Sequence, residues 1–148
     1  MHRAPLLLVA VVALLAFSAR AGASDATLRT TLSTWSKKIG ADAHSVALAA
    51  QRRHPRRMTS SANRFHREAL SARAAVTAQR PSTAKGQRAR RLALTAFADY
   101  ALAGSKWAAS GRARLAHRQA SSISLARAGG RYARTGNSLL VSAGKLLG

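Results

Sequence analysis

Two hydrophobic patterns divide the chain. Residues 6–17 (LLLVAVVALLAF) form one unbroken apolar run, and beyond residue 24 apolar residues recur at steps of three and four. The run follows a short basic start, His2 and Arg3, and precedes the small residues Ala21-Gly22-Ala23. That order is the pattern of a secretory signal, with scission after Ala23 or, as the nearest variant, after Ala21. A helix that stays in the membrane needs about 20 apolar residues, and this run stops at 12. Residues 1–23 are therefore expected to be a signal peptide and residues 24–148 a single mature domain with no transmembrane span. The segment has no twin arginine and no cysteine, so it predicts general export without a lipid anchor.

Steps of three and four put side chains on one face of a helix. Leu28, Leu32, Trp35, Ile39, Ala43, Val46 and Ala50 predict a first helix over residues 25–53. Ser24 or Asp25 would cap it, and Pro55 would end it, because a proline pushes the preceding residue out of helical geometry. Met58, Ala62, Phe65, Ala69, Ala72 and Val76 predict a second helix over residues 60–79, with Pro81 in the next turn. Ala93, Phe97, Tyr100, Gly104 and Trp107 predict a third over residues 84–109, stopped by a turn at Ser110-Gly111.

The fourth helix is predicted over residues 112–147, on the stripe Ser122, Leu125, Gly129, Tyr132, Gly136, Leu139, Ala143 and Leu146. Large and small residues alternate along it. A glycine inside a helix costs about 1 kcal/mol relative to alanine. Gly129 and Gly136 are therefore read as seats for a Trp or Phe ring from a facing helix, with the helix continuous through Gly129-Gly130. The competing reading is a break at that pair. Short connections between long helices favour antiparallel neighbours. The expected fold is all-α: an up-down-up-down antiparallel four-helix bundle behind a signal peptide.

Composition sharpens this picture. Alanine supplies 35 of the 148 residues, so helices should approach closely and bury few large groups. Cysteine is absent, which excludes disulfide scaffolds, thiol enzymes and iron–sulfur sites. The chain carries 25 Lys+Arg against 4 Asp+Glu, a net charge of +21. Bundle topology collects much of this charge at the ends. The loop between the first two helices would hold Arg52, Arg53, Arg56 and Arg57, and the loop between the last two would hold Arg112 and Arg114. In an up-down bundle both loops share one end, with Arg64, Lys106 and Arg118 nearby. A secondary basic cluster, Arg80, Lys85, Arg88, Arg90 and Arg91, would mark the other end.

Arginine outnumbers lysine 20 to 5, and its planar fork grips phosphate or carboxylate through two bonds. The expected partner of an exported protein of this charge is an anionic polymer or an anionic membrane surface. Wall polymer, anionic lipid and extracellular nucleic acid all qualify, the last bound through phosphate without sequence readout. The alternative is a secreted structural or protein-interaction bundle whose charge serves only solubility. No cofactor is expected.

Other chemistry finds little material. His44 and His66 face each other across the first two helices if these fold back on one another, with Asp42 or Glu68 near, and form a weak candidate metal pair. Met58 and His117 are the one pairing open to an axial haem. The last eleven residues (SLLVSAGKLLG) could dock on anionic membrane, but their phase favours closing the core. Nucleophile-elbow, zincin, phosphate-loop and dinucleotide motifs are absent. The carboxylates are better used as a cap, at Asp25, and in surface ion pairs, at Asp42, Glu68 and Asp99. The chain is expected to be non-catalytic.

Overall fold

The computed structural model describes the backbone of residues 5–148 and the side chains of residues 24–148. The expected signal peptide, residues 1–23, lies outside the fully described residues. Four helices pack against one another: α1 (Pro5–Gln51), α2 (Pro55–Ala78), α3 (Ala84–Leu115) and α4 (Gln119–Leu147). There are no strands among the described residues, and none of the helices there is long and apolar enough to cross a membrane.

Helix α3 is the centre of the molecule. It packs extensively on α2 and on α4, α1 lies mainly on α2, and α1 meets α3 and α4 only sparsely. The α3–α4 seam is made of small residues. Ala89, Ala96, Ala103 and Ser110 recur every seven residues on α3, as Ser122, Gly129, Gly136 and Ala143 do on α4, and all eight are buried. A seven-residue repeat keeps one face of a helix turned to its neighbour, and small side chains let the two backbones approach. An added Cβ on Gly129 would lie 3.1 Å from the Ala103 carbonyl oxygen, and one on Gly136 would lie 2.9 Å from that of Ala96. Ser110 donates its hydroxyl to the Ser122 carbonyl at 2.8 Å, which satisfies a buried polar pair.

Helix α4 runs unbroken through Gly129-Gly130. The seat at Gly129 is filled by Trp107, as the spacing predicts, whereas the ring against Gly136 belongs to Tyr100 rather than to a Trp or Phe. Where α3 faces α2, aromatic rings take over: Phe65 meets Tyr100 edge-on at 5.8 Å and Trp107 at 5.3 Å. Phe65, Phe97, Leu28 and Val76 are the large apolar side chains buried most completely. The core is thus mostly alanine with a few large anchors, and the C-terminal leucines take part only at its edge. Leu147 is buried, Leu139, Leu140 and Leu146 are half-buried, and Val141 is exposed.

Four boundaries differ from expectation, the first being the start of α1, at Pro5 instead of 25. Helix α2 starts at Pro55, because proline at the first helical position gives up no hydrogen bond. Helix α3 runs past Ser110-Gly111 to Leu115, because both residues are spent on packing. Ser110 faces α4, and Gly111 lets the Pro55 carbonyl come within 2.9 Å of where its Cβ would be. Helix α4 therefore starts at Gln119 instead of 112. Asp25, expected to cap its own helix, lies inside α1 and serves α3: it accepts the hydroxyl of the α3 cap residue Thr83, which accepts from the Gly86 N–H at 2.9 Å. A carboxylate there also complements the positive end of the α3 dipole.

Candidate anion-binding site

Both tight connections are built alike. Helix α1 ends in a turn whose Arg53 has φ 54°, and α3 ends in one whose His117 has φ 56°. Each closes with a bond spanning five residues, His54 N–H to the Ala49 carbonyl (2.9 Å) and Arg118 N–H to the Ala113 carbonyl (2.8 Å). This is the usual left-handed helix stop, made here without glycine. The first turn lies at the C-terminal end of α3 because the N-terminus of α2 packs against the last turns of that helix, where Gly111 touches Pro55 and Thr59.

Of the six arginines predicted at this end, Arg52 and Arg53 lie in the first turn and Arg56 and Arg57 in the first turn of α2. Arg112 and Arg114 are not in a loop, as expected, but in the last turn of α3, where cations complement the negative dipole end. All but the half-buried Arg114 are exposed, and none of the six makes an ion pair among the described residues. Arg52 and Arg57 line a hollow of about 260 Å³ with His54 and Ser60. Arg56 lines a second, of about 350 Å³, with Asn63, Arg67 and Leu115. Neither hollow is lined by a carboxylate. Arg67 was not anticipated from sequence. The spacing of Arg56, Ser60, Asn63 and Arg67 on one polar face of α2 was the signal that would have found it.

Arg64, expected near this end, is committed elsewhere: its Nε donates to Asp42 at 2.7 Å, and Asp42 is only 8% exposed. The secondary cluster divides. Arg90 donates to the carbonyls of Val76 (3.2 Å) and Thr77 (2.7 Å), and Arg80 to that of Thr77 (3.3 Å), so both close the C-terminus of α2. Lys85, Arg88 and Arg91 stay exposed.

The histidine pair is not assembled. His66 turns to α3 and donates Nδ1–H to the Ala101 carbonyl at 2.7 Å, while His44 is exposed on α1. No group of three metal-ligating side chains occurs among the described residues. Glu68 pairs with Lys38 at 3.3 Å, and Asp99 has no ion pair among the described residues. Comparison with family models, with curated proteins and with solved structures finds no match.

Proposed function

We propose that this chain is an exported, non-catalytic helical bundle that binds anionic polymers or anionic surfaces through the arginine-rich end. The observation that carries this reading is the set of exposed guanidinium groups at the end where α2 begins and α3 stops, none with a carboxylate partner among the described residues. A cluster of that kind raises the local concentration of anions and speeds their capture. Bidentate donors then suit phosphate or carboxylate groups along a polymer.

An up-down-up-down order supports the reading, since it brings alternate connections to one end. The sense of the contacts supports that order: Lys38 meets Glu68 while Asp42 meets Arg64, and Ala96 meets Gly136 while Ala103 meets Gly129. Export is supported by the predicted scission point. Ser24 and Asp25, the first residues beyond it, are held by Ser82 and Thr83, as suits a domain that begins there.

The test is retention of the full chain on immobilised heparin as salt is raised. Two variants lose the same charge at different places: Arg52→Gln with Arg56→Gln and Arg57→Gln, and Lys85→Gln with Arg88→Gln and Arg91→Gln. The first should elute at clearly lower salt than the second. Equal shifts would mean that the charge acts only as a diffuse solubilising field, and the assigned site would be abandoned.

A further inference from the structure

A second feature lies away from the arginine end. Helices α1 and α4 stand apart along their middle, and an apolar cleft of about 480 Å³ opens between them. That volume falls in the range of about 300–1,000 Å³ usual for small-ligand sites. Its floor is the ring cluster of Phe65, Tyr100 and Trp107, and Gly40 and Leu140 contribute to its walls.

Three independent observations give the cleft a chemistry. Tyr100 lines it and is 7% exposed, and its hydroxyl, with no hydrogen-bond partner among the described residues, keeps its oxygen accessible rather than buried. Burial raises its pKa above the ordinary tyrosine value. Gly40 is the second. A glycine inside a helix weakens it relative to alanine, and an added Cβ here would meet nothing within 4 Å. No packing contact requires this glycine, and it keeps the α1 wall open where the cleft lies. The third is charge. The depression continues along α4 through Asn137 and Val141 to Arg134 and Lys145. Neither cation has an ion pair among the described residues, and no carboxylate lines either part.

We propose that this cleft binds a long-chain carboxylate, its hydrocarbon laid on Phe65, Tyr100 and Trp107 and its head group paired with Lys145, since Arg134 lies about three turns away on α4 and turns its guanidinium back toward Gly130. An apolar floor with a cationic rim complements that one molecule at both ends. The hydrophobic part supplies affinity in proportion to the area removed from water, and the rim selects for charge.

The chain has two tryptophans, so Trp35→Phe leaves Trp107 as the sole indole reporter. The full chain with that substitution is titrated with sodium oleate below its aggregation concentration and, separately, with uncharged methyl oleate. Oleate should give a saturable one-to-one change in Trp107 emission. Methyl oleate should bind about tenfold more weakly, as should oleate to the Lys145→Gln variant. Gly40→Leu should abolish the response while holding or raising the melting temperature. Ala43→Phe fills the same wall if the leucine variant fails to fold. The Arg52→Gln, Arg56→Gln, Arg57→Gln variant should keep full oleate affinity, which separates this cleft from the arginine end. The proposal is overturned by oleate binding that survives the folded filling variants, ignores head-group charge or is lost with the arginine-end variant. Binding confined to phosphatidylglycerol vesicles, with none to oleate, overturns it as well.

Discussion

A single methyl group probes how closely α3 and α4 are joined. Alanine at position 136 would press its Cβ to 2.9 Å from the Ala96 carbonyl oxygen and 3.2 Å from the Tyr100 ring. The obstacle is backbone, which yields less readily than a side chain. Overpacking of this kind costs about 1–3 kcal/mol, enough to outweigh the better helix propensity. At position 144 the same change meets nothing within 4 Å, so it should gain up to about 1 kcal/mol. Urea unfolding of Gly136→Ala and Gly144→Ala should therefore shift the midpoint in opposite directions, and two increases would mean that the seam is loose. The sequence made Gly136 conspicuous, because it continues a stripe. It could not say whether such a glycine bends a helix, admits a ring or admits a backbone. Gly136 admits both Tyr100 and the Ala96 carbonyl, and that depends on a helix distant in sequence.

The helices themselves were legible, since each is long and its apolar stripe keeps one phase. Their ends were not. Ser110-Gly111 has the composition of a turn, yet α3 passes through it, because tertiary contacts on both sides satisfy small residues that would otherwise favour a loop. The real stops carry bulky polar residues in left-handed geometry, Arg53 and His117, where side chains other than glycine pay roughly 1 kcal/mol or more. His117→Gly should relieve that strain and raise stability by about 0.5–1 kcal/mol, after allowing for the extra freedom glycine gives the unfolded chain. Thermal or urea unfolding checks it, and a loss of stability would show that the imidazole makes a contribution larger than the strain. His117 is the cleaner of the two turns to alter, because Arg53 belongs to the proposed anion site.

For the molecule as a whole, charge and topology act together. A net charge of +21 on 148 residues repels itself, and the compact state suffers more than the open chain. Raising sodium chloride from about 0.01 M to about 0.15 M shortens the screening length from about 30 Å to about 8 Å, so the melting temperature should rise over that interval. A flat or falling curve would mean that the arginines are spaced too widely to interact. The sequence by itself determined the helical class, the stripes that form the core, and the excess of arginine with almost no carboxylate. Those follow from composition and from spacing within one helix, which are local. Only the tertiary structure decided which arginines are free. Arg64, Arg80 and Arg90 are taken by a carboxylate or by carbonyls at a helix end, while Arg52, Arg56 and Arg57 are not. The opening between α1 and α4 was decided there as well. The small-residue seam fixes α4 against α3, and α1 rests mainly on α2. The size of the gap between the outer helices depends on how far apart those two seams lie, a distance set by side chains on four different helices at once.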